Sequence, residues 1–536
     1  DGLAISGNGS VNLGATIRSS ADQLDFGDGA LTLVANSVLD ATNNAEVASA
    51  AGNTIRFGGS IGDGANTYNL TLNAGSTGDI NVVGAIGTNN NGIGAISITV
   101  ADQVTFGGTV NAASFTQLDA PNTGLTTFAD NFALSGNFDF TGQELKLQGA
   151  ASSAGGSIEI TNAGTYTLGS GASIAADSGI TVNGAGGVSL AGDITADGSA
   201  LGFSGPVIVA ADITISTGTG TGDISFDKAV SGSGVLTLAA GTGDVIFAAG
   251  ADVGTSAAKA GGLEISGKNI TLRNVYTTGQ QDYSATGTIT TNSSYVTDGA
   301  SVRFDGPTVF NSMTVVDNTA GGTISTGGDV TFTGTLDGDG VGSASDLIIS
   351  AGSAGDVTFS GLVGDGTPLG GVMINNANNV TVNGLRAKSF KQWAGTGTTT
   401  LNSGNFSSGA DQALGTSNPM GVDVNANSIT LAGDVATSGA YAKFRAAVNL
   451  GADVEVNTAG GNLSFDSSIN GAHQVTLTAG AGTVTLSGIT GTSNNSATEL
   501  TGFTINSASA ASLNNVFTTG AQTITAGAVS LTGNDY

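Results

Sequence analysis

The sequence predicts an all-β chain that folds as a parallel β-helix, or β-solenoid, with about 20–27 residues per coil. Glycine accounts for 88 of the 536 residues, and charged residues for only 10%, whereas roughly 7% glycine and 25% charge are usual. Short stretches in which apolar residues alternate with Ser or Thr recur along the chain. Related segments also return at regular distances, as expected for a repeat architecture.

The predicted strands are triplets and quintets with a period of two, which places apolar side chains on one face and hydroxyl groups on the other. Glycine, asparagine, aspartate or serine bounds each stretch, and these residues favour turns. The clearest stretches are 55–57, 96–100, 224–226, 236–238, 330–332, 475–477 and 484–486.

The spacing of these strands predicts the stacking of coils. Equivalent apolar residues are 21 residues apart (Phe226 and Phe247, Phe465 and Leu486) or 27 apart (Phe332 and Phe359). Stacked at about 4.8 Å, such residues would form inward-facing rows. A string of immunoglobulin-like sandwiches is disfavoured, because the chain has one Trp and five Pro where such domains carry core tryptophans and proline-bearing linkers.

A longer repeat predicts the organisation of the solenoid. Related openings occur at 52–57 (GNTIRF), 222–226 (GDISF), 328–332 (GDVTF) and 461–465 (GNLSF), and each precedes a block such as AGSAGDVTF at 351–359. The predicted blocks of one continuous solenoid are 1–51, 52–221, 222–327, 328–460 and 461–536. Differences in their length are expected in the turns, where insertions leave the stacked strands intact.

Charge and composition restrict the partners and the location. The net charge is −28, which argues against nucleic acid and anionic membranes as partners because both require clustered basic residues. The chain has no cysteine and no apolar run of about 18 residues, so we expect no disulfide framework and no membrane insertion. We expect an extracellular or cell-surface protein.

The GDVTF and AGSAGDVTF units, with LTL strands between them, resemble the repeat regions of large bacterial surface proteins, namely filamentous-haemagglutinin-like adhesins and autotransporter passenger domains. This resemblance implies a right-handed parallel β-helix, secretion to the cell exterior, and a structural or adhesive role.

Enzyme chemistry finds little support in the sequence. Residues 262–269 approximate a phosphate-binding loop, but Asn269 replaces the required Ser or Thr and a strand pattern follows where a helix must begin. The single histidine, His473, lies in a polar turn. Aspartates instead recur at similar turn positions (Asp79, Asp223, Asp244, Asp329 and Asp356). We therefore predict no enzyme, and a polysaccharide-degrading β-helix enzyme is the third hypothesis.

Calcium is the one cofactor that the sequence suggests. Asp337, Asp339 and Asp365 lie in glycine-flanked acidic loops, and carboxylate oxygens suit Ca²⁺. An EF-hand would need an acidic residue where Ile348 stands. The alternative is that these aspartates only shape turns.

A basic and aromatic cluster interrupts the acidic background. Arg386, Lys388, Lys391 and Trp393 fall within LRAKSFKQW. The cluster could bind an acidic face of a neighbouring copy or a glycan stacked on Trp393, and the alternative is a solvated surface.

The leading hypothesis is a rigid structural rod that self-associates into a surface filament, sheath, stalk or surface layer. Its partners would be further copies or other cell-surface components. Segments 3–6 and 529–532 both read as further coils, which favours a longer repeat array or end-to-end pairing. The second hypothesis is an adhesin that presents a glycan- or protein-binding surface.

Overall fold

The computed structural model describes residues 2–42, 51–87, 92–118, 124–340, 345–406, 421–492 and 499–534. The regular elements in these ranges are β-strands, and no helix long and apolar enough to cross a membrane occurs in them. The chain divides into two compact units, Asp1–Lys268 and Asn269–Tyr536. Each unit is a parallel β-solenoid of about 22 residues per turn, so the predicted fold class is confirmed.

Each coil of the first unit contributes one strand to each of three columns, in chain order 1A, 1B and 1C. Column 1A contains Leu3–Ala4, Leu24–Asp25, Ile55–Phe57, Ile80–Val82, Val104–Phe106, Leu125–Phe128, Glu144–Leu147, Tyr166–Leu168, Val188–Leu190, Val207–Val209 and Val230–Ser231. Column 1B contains Val11–Leu13, Leu31–Leu33, Ile61–Gly62, the start of Val110–Leu118, Phe132–Leu134, Ser152–Ala154, Ser173–Ala176, Asp193–Ala196, Ile213–Ser216, Val235–Ala239 and Gly262–Gly267. Column 1C contains Thr16–Arg18, Ser37–Asp40, Leu70–Asn73, Ile93–Val100, the end of Val110–Leu118, Phe138–Gly142, Ile158–Asn162, Ile180–Gly184, Leu201–Phe203, Ile224–Phe226 and Val245–Phe247.

The second unit also has three columns, named 2A, 2B and 2C in chain order. Column 2A contains Ile270–Thr271, Ile289–Thr291, Thr308–Phe310, Leu336–Gly338, Gly404–Phe406, Val435–Thr437, Val454–Asn457, Gln474–Thr478, Gly502–Ser507 and Gln522–Ile524. Column 2B contains Val275–Tyr276, Ser294–Val296, Thr314–Asp317, Leu347–Ser350, Leu369–Asn376, Arg386–Gln392, Val422–Val424, Ala442–Phe444, Leu463–Phe465, Thr483–Leu486, Ala510–Leu513 and Val529–Leu531. Column 2C contains Gln281–Ala285, Val302–Asp305, Val330–Phe332, Val357–Phe359, Val380–Val382, Thr398–Leu401, Ser428–Leu431, Ala447–Leu450 and Ile469–Asn470.

The core of each unit is built from the inward rows of these columns. Within a strand, burial alternates as the sequence pattern predicts, so that Val330 and Phe332 are buried and Thr331 is only partly covered. In-register pairing then places like residues in direct contact between coils. Stacked phenylalanine pairs with centroids 4.8–5.4 Å apart result, as in Phe203–Phe226, Phe226–Phe247, Phe304–Phe332 and Phe332–Phe359.

Glycines make the corners of a coil possible. Gly352, in the AGSAGDVTF block, has a φ of 80°, which lies in the left-handed region that favours glycine. A Cβ atom at this position would lie 2.3 Å from the carbonyl oxygen of Thr326 in the preceding coil. The turn therefore needs glycine both for its backbone conformation and for the close approach of the preceding coil.

Aspartates at the start of many strands link one coil to the next. In each case a carboxylate oxygen accepts a hydrogen bond of 2.7–3.2 Å from a backbone N–H one coil further along the chain. The acceptor–donor pairs are Asp79–Gln103, Asp193–Thr214, Asp212–Val235, Asp223–Asp244, Asp329–Asp356, Asp356–Asn379, Asp434–Glu455 and Asp453–Gln474. Four of the five predicted turn aspartates (Asp79, Asp223, Asp329 and Asp356) thus bind the backbone of the following coil, and the fifth, Asp244, donates its N–H to Asp223.

Arginines make a second kind of link between coils. Arg56 pairs with Asp25 and Asp28 of the preceding coil at 3.0 and 2.6 Å. Arg303 pairs with Asp282 of the preceding coil at 3.2 Å and with Asp305 on its own strand. These arginines therefore neutralise part of the negative charge on the surface of the chain.

Candidate functional site

The basic and aromatic cluster lies on one bent strand of the second unit. The two ends of the strand Arg386–Gln392 pair with different columns in the following coil. Arg386 lies opposite Asn405 of column 2A, and Phe390 lies opposite Val422 of column 2B. Two consecutive buried residues, Ser389 and Phe390, mark the bend. The structure therefore separates the predicted cluster, placing Arg386 on column 2A and Lys391 with Trp393 on column 2B.

Lys391 and Trp393 form a cation–π pair on the outer face of column 2B. The Lys391 ammonium lies 3.2 Å from the centroid of the indole ring, and Trp393 itself is 55% exposed. Partial burial lowers the pKa of Lys391; the charge of Asp423 opposes this shift and that of Arg445 adds to it. The indole nitrogen lies 3.3 Å from the sulfur of Met373, so the ring is held from two sides.

The coils that follow Lys391 carry an ion-pair network that the sequence analysis missed. Arg445 donates to both carboxylate oxygens of Asp423, at 2.6 and 2.8 Å. The Asp423 side chain is only 5% exposed, and its hydrogen bonds to Arg445 raise the pKa of the guanidinium. Lys443 pairs with Asp466 of the next coil at 3.0 Å. Only the coil register could have revealed this network, because its members lie about 20 residues apart in sequence.

Register places these side chains in one outward row, which we call row 2B. It consists of Val315, Ile348, Met373, Lys391, Asp423 and Lys443, each directly opposite the next. The first three members form a partly exposed apolar strip. The last three alternate in charge, which is the favourable arrangement for adjacent side chains on a sheet.

Arg386 borders a separate surface cavity of about 390 Å³ on column 2A. Its guanidinium donates to the backbone oxygen of Asp365 at 2.9 Å and lies 3.9 Å from the Asp365 carboxylate. Leu362 and Asp434 also line the cavity. Gly384 also lines the cavity, and a Cβ atom at this position would lie 2.7 Å from the side chain of Leu362. A guanidinium, two carboxylates and an apolar wall are groups that suit a polar ligand with an apolar face.

The three aspartates proposed as calcium ligands each have partners within the protein. The Asp337 carboxylate accepts hydrogen bonds from the N–H groups of Gly366 and Thr367 at 2.9 and 3.0 Å. Asp339 accepts one from the Ser345 hydroxyl at 3.1 Å, and Asp365 lies beside Arg386. Within the described ranges, no group of three or more His, Cys, Asp or Glu side chains is arranged to hold a metal ion. Calcium binding by these residues stays a prediction.

The other candidates occupy ordinary positions in the solenoid. The glycine-rich segment that approximates a phosphate-binding loop forms the strand Gly262–Gly267, and the strand Ile270–Thr271 follows. The His473 imidazole lies 3.6 Å from the exposed carboxylate of Asp453. Neither position shows a helix N-terminus or a nucleophile beside a base.

No family model, curated protein or solved structure matches the chain. The resemblance to haemagglutinin-like and autotransporter proteins therefore rests on the repeat motifs alone. The structure supports its coarser part, a repetitive parallel β-solenoid.

Proposed function

We propose that the protein is a non-enzymatic structural component of a bacterial cell exterior, a β-solenoid that self-associates into a filament, sheath, stalk or surface layer. One observation carries this proposal: the coils of each unit stack in register, and the same apolar core positions recur from coil to coil. Phe304, Phe332 and Phe359, for example, stack in one inward row of the second unit.

Such repetition suits a structural role, because each coil contacts only its neighbours and the stacked rows continue from coil to coil. The net charge of −28 and the regular inward rows support a stiff stacking unit. In the proposal, these units associate with those of further copies.

Electron microscopy and light scattering of the purified chain test this proposal. We expect polymers whose mass grows with the concentration of the protein. A wild-type chain that stays monomeric at all concentrations would contradict self-association.

A second candidate is an adhesin, and the cavity beside Arg386 favours it. The cavity combines Arg386, Asp365 and Asp434 with the apolar side chain of Leu362, and sugars offer both hydroxyl groups and an apolar face. A glycan array probed with the wild-type chain and with Arg386→Ala tests this role. Binding that is lost in the variant would support adhesion, and an array without signal would contradict it.

A further inference from the structure

The cavity on column 2A lies where small residues interrupt a row of larger ones. Strand pairing places four residues in one row on successive coils, at the start of this column. They are, in order, Leu362, Gly384, Ser403 and Asp434, and all four line the cavity. The two small residues stand between the two larger ones, so the row has a recess at its centre. Arg386 borders the recess from the side.

Gly384 gives the cavity its apolar wall. A Cβ atom at position 384 would lie 2.7 Å from the Leu362 side chain and 3.4 Å from the hydroxyl oxygen of Ser403. The Leu362 side chain therefore lies against the backbone of the coil that contains Gly384. Because Leu362 is 46% exposed and lines the cavity, part of its apolar surface is accessible to a ligand.

The backbone holds two charged groups of the cavity in place. The Arg386 guanidinium donates to the backbone oxygen of Asp365 at 2.9 Å. One carboxylate oxygen of Asp434 accepts the N–H of Glu455 at 2.7 Å. Groups that are positioned in advance lose less entropy when a ligand binds. Arg386 and Asp434 lie two coils apart, which is about 10 Å along the stack.

We propose that this cavity binds one uncharged sugar ring of an oligosaccharide. A hydroxyl group both accepts and donates hydrogen bonds, so neighbouring hydroxyls of one ring can accept from Arg386 and donate to Asp434. The apolar face of the ring packs on Leu362. The inference rests on the adhesive role given above as the second candidate, and it names the class of ligand.

The charges of the cavity select an uncharged sugar over an ionised one. The carboxylate of an acidic sugar would gain Arg386 but would face Asp365 and Asp434, on a chain of net charge −28. The ammonium group of an amino sugar would gain the two carboxylates but would face the guanidinium. Like charges at such short range cost affinity, whereas hydroxyl groups suit both signs of charge.

A glycan array that displays uncharged, acidic and amino sugars tests the inference on the full chain. We expect signals from uncharged sugars, and expect Gly384→Val to weaken them at least about tenfold because its side chain would displace Leu362. This variant should fold, since Gly384 has no left-handed backbone and the atoms nearest to a Cβ belong to side chains. Gly202→Val is the matched control. Gly202 lies in mid-strand in the first unit, with only the Ser225 hydroxyl oxygen near its Cβ position, and this variant should bind as the wild type does.

A second variant tests selection by charge. Asp365→Asn/Asp434→Asn leaves Arg386 as the one charged side chain among those that line the cavity. The affinity for acidic sugars, measured by titration calorimetry, should then rise about tenfold relative to that for uncharged sugars.

The outcomes separate the inference from the adhesive role. If Gly384→Val leaves the binding of uncharged sugars unchanged, the ligand lies elsewhere, and the inference fails while adhesion stands. Equal binding of acidic and uncharged sugars by the wild-type chain, or wild-type selectivity in the double variant, overturns the class of ligand in the same way. An array without signal contradicts both.

Discussion

Row 2B and the outward row of column 1C that contains Asp139 and Glu159, which we call the acidic row, obey the same stacking rule but arrange their charges in opposite ways. In row 2B the carboxylate of Asp423 stands between Lys391 and Lys443. In column 1C, Asp139 and Glu159 stand side by side. Because an in-register solenoid repeats each outward position about every 4.8 Å, the order of residues at one position decides whether neighbours attract or repel. The alternating row places attracting charges side by side, whereas the acidic row places repelling charges side by side.

The largest expected effect comes from breaking the alternating row at its centre. Asp423→Ala removes both oxygens that hold Arg445 and leaves three cations close together, so we expect the second unit to lose about 2 kcal/mol of unfolding free energy. Asp466→Ala, at the more exposed pair with Lys443, is the control and should cost about 0.5 kcal/mol or less. Hydrogen exchange in the strands 422–424 and 442–444 measures the loss. Equal protection from exchange in both variants would show that the burial of Asp423 adds nothing to the stability that its ion pair provides.

A smaller loss of stability should show whether the turn aspartates act through their negative charge or through their hydrogen bonds. The Asp329 carboxylate accepts the N–H of Asp356 at 2.9 Å, so Asp329→Ala should cost about 1 kcal/mol. Asp329→Asn keeps an acceptor oxygen and should cost much less, as Asn462 performs the same role for Thr483 at 3.0 Å. Chemical denaturation of the two variants gives the comparison. Equal destabilisation would mean that the negative charge matters and the acceptor alone does not suffice.

The smallest expected effect concerns pH and the acidic row. The pKa of Asp139 is raised in the folded chain, so its contribution to stability is fully present below the unfolded pKa and is lost as pH rises through the folded value. Desolvation is the larger cause of the raised pKa of Asp139 and the charge of Glu159 is the smaller one, so Glu159→Gln should lessen part of this fall in stability as the pH rises above about 4, the usual pKa of Asp. Thermal unfolding across that range measures it, with Glu144→Gln as control. A steeper pH dependence in Glu159→Gln would contradict the repulsion.

The fold could be predicted because its causes are local and repeated. Alternation within Val330–Phe332 determines which side chains turn inward, and the distance from Phe332 to Phe359 gives the coil length; both are confirmed by the pairing of these strands. The column that a motif occupies could not be predicted. GDVTF at 328–332 lies in column 2C, whereas the related GNLSF at 461–465 lies in column 2B. Turns of different length move the same motif to a different face.

Only part of the candidate site could be predicted from the sequence, again because the lengths of the turns determine which residues meet. Lys391 and Trp393 are neighbours in the chain, so their clustering was visible. The bend at Ser389 and Phe390, which separates Arg386 from them, depends on how two columns meet. The pairing of Asp423 with Arg445 depends on the length of the intervening coil. Contacts between coils need the register, which glycine-rich turns of varying length conceal.

The aspartate bonds between coils have a consequence for how such a chain can grow during evolution. A coil inside a run of such bonds provides the acceptor for the coil after it and the donor for the coil before it, as Asp356 does by donating to Asp329 and accepting from Asn379. A duplicated or deleted segment of whole coils therefore brings or removes equal numbers of donors and acceptors. Gene duplications or deletions that change the number of coils can then leave the remaining hydrogen bonds between coils intact. The length of the chain can therefore vary while the structure of each coil is kept.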